Sequence, residues 1–201
     1  YSSDCFYFLS QEGNAANNLE MSPSPVEAAG QTVSSFDDYQ VYETEQYNLI
    51  ESGQQWFGEK FIRSNARNFN LTCENPVPES AAFIVINAAG RSSMASALDV
   101  TLNQVKITAL NFNTVNLENA TSQYADEQQR IHPFKLTSPS VAVTLTYNAA
   151  NSLSEAWLDY LTVNWRRQLK MSGDELCFRD AKSTGAGKTV QFILENGNGG
   201  I

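Results

Sequence analysis

The side chains able to do chemistry are few and scattered. His132 is the single histidine, and the three cysteines, Cys5, Cys73 and Cys177, stand far apart. A serine or cysteine nucleophile needs a positioned base, so His132 would have to serve any such dyad. It lies between Ile131 and Pro133 at an expected strand start, and no cysteine has a nucleophile's sequence context. A strand-edge histidine is the reading. Carboxylates cluster at Asp37-Asp38, Asp126-Glu127, Asp174-Glu175 and Glu43/Glu45. Sequence neighbours on a strand point to opposite faces, so adjacency does not make an acid–base pair. No catalytic residue is assigned.

Gly185-Ala186-Gly187-Lys188-Thr189 looks like the end of a phosphate-binding loop, but the Gly required five residues before Gly187 is Lys182. Such a loop also needs a helix after it, because the phosphates sit on helix N-terminal amides. The alternating run Val190-Gln191-Phe192-Ile193-Leu194 predicts a strand instead. Asp159 falls on the apolar face of an expected long strand. A buried carboxylate must accept hydrogen bonds or ligate a cation, so Asp159 is the candidate for a structural calcium, with hydrogen bonding the favoured role. No other metal and no cofactor is implied. Residues 36–57 are dense in aromatics, among them Tyr39, Tyr42, Tyr47, Trp56 and Phe57. Buried, these are core; exposed, they could stack on sugar rings, and Trp56 with Phe57 in an expected loop is the candidate interaction surface.

The elements that must hold these residues are strands. Val141, Val143, Leu145 and Tyr147 share one face of a period-two segment, and Trp157, Leu161, Val163, Trp165 and Leu169 share one face of a longer one. Ala81 to Ala89 is almost wholly apolar, as in a strand buried on both faces. Leu98–Leu102 and Val105–Leu110 flank Asn103-Gln104, which predicts a two-residue hairpin turn. Phe69–Cys73, Leu176–Asp180, Thr189–Glu195 and Cys5–Leu9 are further strand candidates. Ala120–Gln129 is the one candidate helix, short and on the surface. Residues 11–30 are polar and contain proline, so residues 1–30 are expected to be a flanking strand and linker, and 31–201 a β-sandwich domain. The fold expected is all-β with little helix: a β-sandwich of jelly-roll or galactose-binding-like form.

Composition narrows the partners. The 201 residues carry 13 Lys and Arg against 22 Asp and Glu, a net charge of −9, and only Arg166-Arg167 forms a basic doublet. Clustered cations are lacking, which disfavours nucleic acid and anionic membrane surfaces as partners. No apolar stretch is long enough to span a bilayer, so membrane insertion is not expected. An odd number of widely spaced cysteines defines neither a disulfide framework nor a zinc site, and leaves Cys5–Cys73 and Cys73–Cys177 open as pairings.

Several segments, taken in order, resemble the region upstream of the peptidase domain in PorU-like sortases of type IX secretion, which are gingipain-type cysteine peptidases. They are Tyr1 to Leu9; Tyr42-Glu43-Thr44-Glu45 through Asn48-Leu49, Ser52-Gly53 and Trp56-Phe57-Gly58-Glu59; and Ala156 to Leu169. Ser172-Gly173, Leu176-Cys177-Phe178-Arg179-Asp180, Gly185-Ala186-Gly187 and Val190-Gln191-Phe192 complete the set. The resemblance implies a piece of a larger exported protein at the outer-membrane surface or in the periplasm, with the catalytic His and Cys in a later domain. The chain itself would then be a non-catalytic scaffold or interaction module. Its partners would be proteins of the secretion apparatus or the parent's own peptidase domain. The alternative is a carbohydrate-binding module with a glycan as partner.

Overall fold

The computed structural model describes residues 27–51, 53–119 and 121–197. The strand expected at Cys5–Leu9 lies outside them. Eleven strands follow in order: β1 (Gln31–Val33), β2 (Ser35–Glu43), β3 (Lys60–Ile62), β4 (Ala66–Thr72), β5 (Ala81–Arg91), β6 (Ser96–Leu102), β7 (Val105–Phe112), β8 (Asp126–Lys135), β9 (Ser140–Asn148), β10 (Glu155–Gln168) and β11 (Val190–Phe192). The only helical element among the described residues is a single 3-10 turn at Ala181–Ser183. One sheet has the order β2-β10-β5-β8, with β3 also on β10, and the other has the order β4-β9-β6-β7. All pairs within these two sheets are antiparallel.

Each sheet thus joins its first strand to its last and alternates with the other sheet along the chain, the double Greek-key order of a jelly roll. The facing sides supply one core. Ile84, Ile86, Leu158, Leu161, Val163 and Trp165 from the five-stranded sheet meet Leu98, Val100, Leu110, Val141, Val143, Leu145 and Tyr147 from the other. Gly90 in β5 is required by this contact, since a Cβ there would lie 2.2 Å from the Phe112 ring. At the hairpin, Asn103 and Gln104 have φ of 47° and 70°, the left-handed pair that a two-residue connection needs.

β10 departs from simple alternation. Its register with β5 shifts between Leu158 and Tyr160, so Asp159 is an extra, bulged residue. The bulge exchanges the faces: Leu158 joins the main core, while Trp157 turns outward to pack with Phe57 and Ala89. The expected common face for Trp157 and Leu161 is corrected by that one residue. The helix expected at Ala120–Gln129 is also replaced, by turns and the start of β8. Pro133 lies within β8, tolerable because β8 is an edge strand. Leu176–Asp180 forms no strand, and Thr189–Glu195 shortens to β11, which pairs in parallel with β1. A strand, not a helix, therefore follows the Gly185–Gly187 loop, as expected.

Candidate functional site

The outer face of the five-stranded sheet is the surface to examine, because the inner face is core. Antiparallel register sets its rows. Tyr39, Asn164, Phe83 and Pro133 lie side by side, as do Val41, Thr162, Val85 and Ile131. Tyr39, Val41, Phe83 and Ile131 are each exposed. These rows carry exposed apolar side chains on β2, β5 and β8, with the polar Asn164 and Thr162 of β10 between them. The next row, Glu43, Tyr160, Asn87 and Gln129, is polar, and Gln129 donates a 2.8 Å hydrogen bond to the Tyr160 hydroxyl.

Beyond it the face is covered by a strap. β2 and β3 both flank β10 on the same side, so residues 44–59 must loop out between them. The strap is fixed at its base, where Gly58 N donates to Leu158 O at 2.7 Å. Only glycine fits there, since a Cβ would lie 2.3 Å from Thr44 Oγ1 and 2.9 Å from Thr44 O. Phe57, 5% exposed, packs on Trp157 and Ala89, whereas Trp56 beside it stays exposed. The pair expected as one interaction surface is therefore divided. Phe57 is an anchor, and Trp56 alone faces solvent.

Between this strap and the turn before β8 lies a cleft of about 390 Å³. Leu49, Phe57, Ala89 and Ala125 give it an apolar floor, and Gln54, Gln55, Gln123, Tyr124 and Glu127 contribute polar walls. Register places Glu127 opposite Ala89, which is opposite Trp157. Glu127 Oε1 accepts from Asn87 Nδ2 at 2.9 Å and from Gln55 Nε2 at 3.2 Å. The same Gln55 nitrogen donates to Asp159 Oδ2 at 3.3 Å. Arg91 lies 4.1 Å from the Tyr124 ring centre and donates to the Tyr124 carbonyl at 2.6 Å, so the ring is held in place by Arg91.

Asp159 is 8% exposed, and its carboxyl is pushed up from the ordinary value by burial, with Glu127, Glu43 and Glu45 adding repulsion against the bond from Gln55. Its partner is a hydrogen-bond donor. Among the described residues no group of three His, Cys, Asp or Glu side chains could hold a metal. Cys73 and Cys177 are free thiols, so the Cys73–Cys177 pairing is not formed. Cys73 is buried, which with the nearby Asp38 pushes its thiol up to about 11. His132 sits on edge strand β8 opposite Ile84. Of the carboxylate doublets, Asp37 bonds Arg166 at 3.0 Å and Asp38 bonds Arg167 at 2.9 Å, on opposite faces as strand geometry requires.

The sequence reading missed Gln55, Asn87, Tyr124 and Glu127 as a group. They come from three separate segments: the strap, β5, and β8 with the turn leading into it. Only the pairing of β5 with β8, together with the strap, brings them together.

Fold and surface together define a jelly-roll β-sandwich whose five-stranded sheet carries exposed apolar side chains on its outer face. Comparison with solved structures then gives particular likenesses. The dimeric latent PorU of Porphyromonas gingivalis superposes with a TM-score of 0.69 at 17% identity, over 84% of this chain and 16% of that one. The chain thus spans only a small part of that protein's length. The CBM36-1 domain of a multidomain xylanase from the hindgut metagenome of Trinervitermes trinervoides matches at 0.40 and 10% identity, over 69% of this chain and 100% of that domain. A family 35 carbohydrate-binding module from Clostridium thermocellum matches at 0.41 and 12% identity, over 65% and 98%. No family model matches the sequence, and no curated protein matches it.

Proposed function

We propose that this chain is a non-catalytic interaction module of a PorU-like secretion sortase, one that seats a protein partner on the open face of its five-stranded sheet. The superposition on part of PorU over 84% of the chain supports this reading. So does the ordered set of segments from Tyr1 to Phe192 that resembles the region upstream of the peptidase domain in PorU-like sortases. The surface suits the task. Tyr39, Val41, Phe83 and Ile131 expose apolar side chains on β2, β5 and β8, with Asn164 and Thr162 of β10 between them, and exposed apolar groups gathered on one face mark protein contacts. The partner this reading favours is the parent's own peptidase domain. The location it implies is the outer-membrane surface or the periplasm. The described residues hold no helix long and apolar enough to cross a membrane.

Two measurements test the reading. The coding sequence beyond Ile201 should continue into a caspase-like domain bearing a His and a Cys. The purified chain, incubated with a broad peptide mixture, should leave every peptide intact by mass spectrometry. Cleavage that disappears in His132→Ala would overturn the non-catalytic assignment.

A further inference from the structure

The cleft beneath the strap is separate from the exposed apolar side chains of β2, β5 and β8 and has a different character. We propose that it binds a neutral sugar ring, with Tyr124 as the stacking plate and Gln55 and Glu127 as the hydroxyl-reading groups. This proposal rests on the cleft alone and stands whether or not the chain belongs to a sortase.

Size and lining fit. Small-ligand sites are concave, largely apolar and fitted with a few placed polar groups, and this cleft of about 390 Å³ has that make-up. The floor is set rigidly, since Phe57 and Ala89 pack on Trp157 and Gly58 ties the strap to β10. Tyr124 contributes a planar π surface to the wall. Arg91 fixes it through the ring contact and the bond to its carbonyl. The negative face of an aromatic ring attracts the weakly positive C–H edge of a pyranose, and no ring flexibility need be lost on binding.

The polar wall suits hydroxyls. A carboxylate offers about four lone-pair positions, and two amide donors on Glu127 Oε1 leave acceptor capacity for sugar hydroxyl donors. Those same amides hold the carboxylate in one orientation. Gln54, Gln55 and Gln123 bring side chains that both donate and accept, matching a hydroxyl's own dual character.

Charge selects against anions. Glu127 lines the cleft, and Asp159 beside it is surrounded by Glu127, Glu43 and Glu45. A phosphate or carboxylate ligand would meet like charge. A cationic ligand is the competing occupant, and ionic strength separates the two, because cation binding weakens with salt and neutral sugar binding does not.

The test is a titration of the full chain with neutral mono- and oligosaccharides of glucose, galactose, mannose and xylose, followed by amide NMR shifts. Saturable shifts confined to Gln55, Ala89 and residues 123–127, unchanged by added salt, are expected for at least one sugar. Tyr124→Ala and Glu127→Gln should each weaken that binding about tenfold. Tyr124→Phe, which keeps the plate, should retain it, and Trp56→Ala, outside the lining, should leave it unaltered. Thermal midpoints of all four variants confirm that they are folded. No shift with any of the sugars would overturn the proposal. So would binding abolished by salt, or binding as tight in folded Tyr124→Ala as in the unaltered protein.

Discussion

Asp159 shows how one residue can mislead a reading of periodicity and still point to the right place. Its position on an apolar face marked it as unusual, and the structure supplies the reason: it is the residue inserted by a bulge, bonded to Gln55. Its folded-state pKa is raised, chiefly by burial. The native state therefore holds this proton more tightly than the unfolded chain does, and stability falls as pH rises from the ordinary value of about 3.9 through the folded one. At neutral pH the charge is a net cost. Asp159→Asn keeps an acceptor for Gln55 and should raise the thermal midpoint at pH 7, with the gain vanishing below about pH 4. A lower midpoint at pH 7 would mean that the carboxylate has a cationic partner which these contacts omit. Trp56 and Phe57 teach a similar lesson. Adjacent aromatics in a loop were visible in the sequence, but which of them faced water depended on Trp157 having turned outward at the bulge.

Strands buried on one face were legible as elements. β9 alternates cleanly, Val141, Val143, Leu145 and Tyr147 being fully buried, and the hairpin at Asn103-Gln104 followed from the runs on either side. β8 was not legible, because Asp126–Lys135 is an edge strand with little buried surface, and its polar residues give no period to read. Leu176–Asp180 misled in the opposite sense. Phe178 is a single anchor, its ring 6.0 Å from Phe36 and 5.2 Å from Phe192, rather than one of an alternating set. The sharpest test of sheet packing is at Gly90, where β5 meets Phe112 of β7. Gly90→Ala is expected to cost roughly 1–3 kcal/mol by overpacking. Phe112→Leu in the same chain should recover part of that loss in chemical denaturation. An unchanged midpoint for the single variant would contradict the close approach of the two sheets.

Across the whole molecule, the segment after β10 is held to the sandwich by ions as well as rings. Arg166 donates to Asp180 at 2.6 Å, to Asp37 at 3.0 Å and to the Ser35 carbonyl at 2.5 Å. Burial opposes the charge on Asp180, but the bonds from Arg166 and Ser183, together with the charges of Arg166 and Lys182, outweigh it and hold the carboxyl below its usual range. Its contribution is therefore complete above the unfolded value of about 3.9 and is lost as pH falls through the folded one. Removing Asp180 takes one charged partner from Arg166, which keeps Asp37 and Ser35, so Asp180→Ala should cost about 1.5–3 kcal/mol at neutral pH. Asp180→Leu combined with Arg166→Met should cost less, because neither charge then remains. None of this long-range closure could be read from the sequence. Asp180 and Arg166 are 14 residues apart, and Ser35 and Asp37 more than a hundred further.

What distinguishes a module that works by presenting a surface is that covering the surface changes it. The direct measurement is amide hydrogen exchange on residues 27–197, compared between the isolated chain and the longer polypeptide that the proposed function predicts. The amides of edge strand β8, which carries Ile131, and of the opposite edge strand β2 should exchange more slowly in the longer protein, and Phe83→Asp with Ile131→Asp should restore the faster rates. Identical exchange at both edges in the two forms would contradict a docked partner on this face.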